Sequence, residues 1–145
     1  GIFEPGMKTG SLVTSFVNTY FQNTVVPVLG LSSSKGGSVI ANWQDHDDYL
    51  TDTIKRLKSA QTFCEQHNIT LRHQYLLWCQ GESDGDHHTS ADEYTKQFMQ
   101  MYEKLKAVGI EHCFLIGIGA YNGTADDIYY DEIRNAQLRP YICHK

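Results

Sequence analysis

A glutamine, a glycine and two carboxylates arrive together just after an apolar run. Trp78-Cys79-Gln80-Gly81-Glu82-Ser83-Asp84 follows Tyr75-Leu76-Leu77, a run of the kind that forms a buried strand. Ligand and catalytic groups of open α/β sheets gather at the carboxyl ends of strands, where loops leave the rigid sheet. Gln80 offers a neutral, directional amide donor there. Glu82 and Asp84 read as paired acid/base carboxylates. A second cluster, Gly36-Gly37-Ser38, follows the preceding apolar run. Glycines let backbone N–H groups converge on an anion, or they simply turn the chain towards the next helix.

Other polar clusters lack the spacing that chemistry requires. Ser32, Ser33, Ser34 and Ser38 carry hydroxyls, but none sits in a Gly-x-Ser-x-Gly elbow. Gly36-Gly37-Ser38 lacks the Lys-Ser/Thr ending of a phosphate-binding loop. Asp45-His46-Asp47-Asp48 and the Asp84 to His88 stretch hold potential oxygen and nitrogen ligands without the spacing of a known metal site, so no metal and no cofactor is expected. Asp47 or Asp48 instead suits the cap of the following helix. Cys64, Cys79, Cys113 and Cys143 form no CxxC pair and read mostly as small core residues.

The elements that must position these residues follow from periodicity. Val13, Phe16, Val17 and Tyr20 mark one face of a helix, and Pro27 to Leu31 reads as a short buried strand. Leu50, Ile54, Leu57 and Cys64 mark a second helix running to about His67, and Leu71 to Cys79 a second strand. Ser90-Ala91-Asp92-Glu93 is a capping box opening a helix with Tyr94, Phe98, Met101, Leu105 and Val108 on one face, stopped at Gly109. Cys113 to Ile118 is a third strand, and a last helix spans roughly Asp127 to Leu138, ended by Pro140. Alternating helices and apolar strands imply an α/β fold, its parallel sheet covered on both faces. With 145 residues and no linker or repeat, a single domain over 1–145 is expected. The net charge of -5 and the absence of a basic stripe argue against nucleic acid. No apolar run approaches the ~20 residues of a membrane span.

Gln80-Gly81-Glu82-Ser83-Asp84, with Gly36-Gly37-Ser38-x-Ile40-x-x-Trp43 upstream, resembles the sialate O-acetylesterase and acetylxylan esterase group of the SGNH (GDSL-like) hydrolases. The likeness runs from about Phe16 to Gln137 and includes Arg134-Asn135-Ala136-Gln137. It implies a three-layer flavodoxin-like sandwich and hydrolysis of acetyl esters on sugars, with an acetylated carbohydrate as partner. It also implies an oxyanion hole built from the Gln80 amide and a backbone N–H of Gly37 or Gly36, with Glu82 in support and Trp43 packed beneath. The family's nucleophile lies in a Gly-Gln-Ser block and its base in an Asp-x-x-His block. The chain has no Gly-Gln-Ser, and Asp84-Gly85-Asp86-His87 fits the second pattern inside the wrong block. Nucleophile and base are thus expected outside this chain, which would then be an incomplete fold lacking its first strand and C-terminal part. Exposed strand edges would follow, and with them self-association. The alternative is a non-catalytic carbohydrate-binding module on the same fold.

Overall fold

The computed structural model describes residues 12–45, 48–124 and 130–139. The chain divides into two compact units, Gly1–Gly36 and Gly37–Lys145. In the first, α1 (Leu12–Thr24) carries the expected helical face, with the Phe16 and Tyr20 rings stacked at 5.9 Å. The strand expected over Pro27 to Leu31 does not form; the segment is irregular. An apolar run becomes a strand only where a neighbour completes its hydrogen bonds. Here the run instead lies along its own helix. Gly30 is so close to α1 that a Cβ there would stand 2.7 Å from Val13 Cγ1.

The second unit begins with a 3-10 turn, Ile40–Trp43, followed by α2 (Asp48–Gln66), with Asp48 in its first turn. β1 (Tyr75–Trp78) and β2 (His112–Leu115) pair in parallel, Tyr75 opposite His112 and Trp78 opposite Leu115. Both are shorter than the apolar runs that announced them. The connection between them holds α3 (Glu82–Asp86) and α4 (Ala91–Lys106), and α5 (Asp131–Gln137) closes the described chain. The short α3 falls in a stretch that reads as a loop. Residues 125–129, the expected start of the last helix, lie outside the described residues.

α4 is the spine of this unit. Tyr94, Phe98 and Met101 are fully buried, and Tyr102 and Leu105 nearly so. Ser90 caps it as expected, its Oγ accepting from Glu93 N at 3.2 Å. The other half of the capping box does not close, because the Glu93 carboxylate turns forward to accept from Gln97 Nε2. Just past its far end Gln61 Nε2 donates to Val108 O at 2.9 Å. Ile40, Trp43, Leu50, Trp78, Ile118 and Ile133 complete the core.

Among the described residues the two faces of the β1–β2 pair differ in exposure. Leu76, Trp78, Cys113 and Leu115 pack on the core side, whereas Tyr75 and Phe114 on the other side are 47% and 53% exposed. No helix among the described residues is long and apolar enough to cross a membrane.

The junction between β1 and α3 depends on Gly81, at φ 146°, where a Cβ would meet Ile133 Cγ2 at 2.7 Å and Gln137 Nε2 at 3.1 Å. Both the backbone angle and the space exclude a side chain. Gly81→Ala is expected to cost at least about 2 kcal/mol. It should lower the urea midpoint with little change of slope; an unchanged midpoint would refute this reading of the junction.

Candidate active site

Gln80 stands two residues beyond β1, where the chain has left the sheet but not the core. Its side chain is buried and donates twice through Nε2, to Ser38 O at 2.8 Å and to Asp84 Oδ2. Its backbone carbonyl accepts twice, from Tyr94 O–H at 3.0 Å and from Gln137 Nε2 at 2.9 Å. The network continues outward. Trp78 Nε1 donates to the Tyr94 oxygen at 3.2 Å, and Gln137 Oε1 accepts from Ile118 N at 3.0 Å. Three segments distant in sequence, β1, α4 and α5, therefore meet at one carbonyl.

Burial, opposed in part by the hydrogen bonds with Gln137 and Trp78, pushes the Tyr94 phenol up to about 12. It stays protonated and serves as donor to Gln80. Ser38 closes the opposite side: its Oγ accepts from Trp43 Nε1 at 3.1 Å while its carbonyl accepts from Gln80. Trp43 is buried beneath these loops, edge-on to Trp78 at 5.2 Å and 84°.

Gly37 adopts φ 71°, with open space where its Cβ would be. Since the very next carbonyl holds the Gln80 amide, the structure brings Gly37 and Gln80 to one place. Gly36, the preceding residue, is exposed as Gly37 is. Glu82 is exposed in the first turn of α3, and the carboxylate that bonds Gln80 belongs to Asp84. Asp84 is fully buried and accepts from Ile40 N at 3.2 Å through Oδ1 and 2.9 Å through Oδ2. Burial raises its pKa above the ordinary 3.8, opposed first by the bond from Gln80 and then by that from Ile40.

The Asp84 to His87 pattern builds no hydrogen-bonded dyad, for Asp84 turns inward while exposed His87 places Nδ1 2.6 Å from Ser83 O. Cys79 is exposed as a residue, yet partial desolvation of its sulfur and then the Glu82 charge raise its thiol pKa, the reverse of an activated thiolate. Cys64 is a buried free thiol. His46, Asp47 and Cys143 lie outside the described residues.

Three members of this network show no sign in the sequence of the bonds they make. Tyr94 reads there as a core residue, and its hydroxyl role has no signature beyond the preference of a buried tyrosine for a partner. Gln137 and the Ser38 carbonyl become significant only once the chain is folded.

These features define an α/β protein with a buried amide–carbonyl network at the carboxyl end of its parallel strands. Among known families, the carbohydrate esterases described as sialic acid-specific acetylesterases match residues 5–143, and the chain belongs to that family. No curated protein and no solved structure gives a significant match.

Tyr94→Phe removes the donor to Gln80 O and the acceptor of Trp78 Nε1 together. It is expected to lower unfolding stability by about 1–3 kcal/mol, measured by urea denaturation. A loss below a few tenths would show that Gln137 satisfies the carbonyl unaided.

Proposed function

We propose that this chain is part of a carbohydrate O-acetylesterase, a serine hydrolase that removes acetyl groups from sugars such as sialic acid or xylan. Family membership supports the activity class. The observation that carries the site is the Gln80 amide held at the carbonyl beside the Gly37 turn. In this reading residues 1–145 belong to one domain of three-layer, flavodoxin-like type.

The reaction would begin when a serine hydroxyl, relieved of its proton by histidine, attacks the acetyl carbonyl. The carbonyl oxygen becomes an oxyanion, which Gln80 Nε2–H and the N–H of Gly37 or Gly36 stabilise. Donors fixed in advance are each worth about 2.7–4 kcal/mol of barrier, because they need not reorganise as charge develops. Collapse expels the sugar alcohol, and water then releases acetate. Glu82 keeps a supporting part in the surrounding loops. The serine and histidine come from the family's Gly-Gln-Ser and later Asp-x-x-His blocks, neither of which these residues supply in its proper place.

A resting Gln80 whose two amide hydrogens are both engaged by protein acceptors also suits a second reading, a carbohydrate-binding module without catalysis. Activity separates the two. The 145-residue chain alone is expected to release almost no acetate from p-nitrophenyl acetate. The full reading frame should do so, with Gln80→Ala lowering kcat by about 10²–10³. A full-length protein that carries both blocks yet hydrolyses nothing would favour the binding module. Full activity in Gln80→Ala would remove Gln80 from the oxyanion hole.

A further inference from the structure

We propose that Asp84 is the positioning residue of the site, pinning one hydrogen of the Gln80 amide and the Ile40 backbone N–H so that the second Gln80 hydrogen can pass from Ser38 O to a substrate oxyanion. The inference rests on the acetylesterase reading for its catalytic part. The clamp itself stands on geometry.

Asp84 has no exposed surface, and none of the ion pairs among the described residues includes it. A carboxylate so placed is costly unless donors surround it. Its donors are Thr89, just past α3, and two groups from separate loops. Ile40 N lies 44 residues away along the chain, after the Gly37 turn, and Gln80 Nε2 lies four residues back. One side chain thus ties the Gly37 to Ile40 turn to the loop that leaves β1.

The same bonds fix which way the Gln80 amide faces. Exchanging its nitrogen and oxygen would set Oε1 against two acceptors, Ser38 O and the Asp84 carboxylate. Gln80 Oε1 is itself buried without a hydrogen-bond partner, so the two N–H bonds alone determine the orientation. Their strengths differ. The bond to Asp84 is charge-assisted, roughly twice as strong as the one to the neutral Ser38 carbonyl. An oxyanion can displace Ser38 O by the same margin, while Asp84 keeps the amide plane in place. Only one pin has to be released, so the donor needs little reorganisation.

The titratable groups that act on or near Asp84 are His87 after α3, Glu82 in its first turn, and Tyr94 on α4. Because the folded carboxyl titrates above 3.8, its ionised form carries a burial cost. That cost is relieved, and stability from this group regained, as pH falls through the raised value towards 3.8. The pin on Gln80 is lost over the same window. Stability and clamp therefore move in opposite directions as pH falls.

NMR of the chain as it stands should find one Gln80 side-chain amide proton shifted downfield and slow to exchange, titrating with a midpoint above 3.8. In Asp84→Asn it should collapse towards free glutamine. In the full-length enzyme Asp84→Asn should lower kcat about 10²-fold with KM within about twofold. The double change Gln80→Glu with Asp84→Asn restores an amide–carboxylate bond with the roles reversed. A carboxylate oxygen then faces Ser38 O, so the double variant should regain only part of the melting temperature, and none of kcat, since a carboxylate at position 80 holds no N–H for the oxyanion. Free exchange of the Gln80 protons in the wild-type chain overturns the clamp. Unchanged kcat in Asp84→Asn, or a loss matched by its unfolded fraction, overturns the positioning role. Absence of any acetyl-ester hydrolysis by the wild-type full-length protein overturns the esterase reading and the catalytic role with it, while the Gln80 resonance still decides the clamp.

Discussion

A backbone carbonyl that leaves a sheet while still in the core must find donors elsewhere, since water cannot reach it. The carbonyl of Gln80 is that group, and much of the second unit is arranged to satisfy it. Tyr94 comes from the spine helix and Gln137 from the last helix, each bringing one donor. Gly81 follows because a side chain there would strike Ile133 and Gln137. The carbonyl holds the main chain at a fixed depth, and the side chain can then reach Ser38 and Asp84. Structure and site share one residue, so the geometry of the donor is set by the packing of the core.

Elements with strong internal periodicity were legible before any coordinates. α4 carries its apolar face where Tyr94, Phe98, Met101 and Leu105 place it, begins after Ser90 and passes into Gly109 at φ 109°. That is the helix whose face is widest and whose ends carry proper caps. The Pro27 to Leu31 run was not legible in this way, because strand formation depends on a partner that no local pattern specifies. The same limit applies to the sheet faces. An apolar run such as Cys113 to Ile118 states that a strand is buried somewhere, but not that Phe114 will stand exposed.

For the site, sequence position was a poor guide to hydrogen-bond partners. Gln80 and Trp43 both meet Ser38, the residue after Gly37, although no strand leads into that turn. The division of labour between Glu82 and Asp84 was hidden. The two carboxylates are separated by one residue, yet the single turn of α3 sends Asp84 inward and leaves Glu82 at the surface. Only the helical phase of that turn distinguishes them, and a stretch containing Gly81 and Gly85 gives little reason to expect a helix at all.

Trp43 and Trp78 are the only tryptophans in the chain. They lie edge to face at 5.2 Å, one anchored to Ser38 and the other to Tyr94. Two indoles this near and this nearly perpendicular share their excited states, so their near-ultraviolet circular dichroism is a property of the pair. Each reports on a different loop of the site. The protein thus carries an optical gauge of its own, in which a shift of either loop alters one coupled signal without any added label.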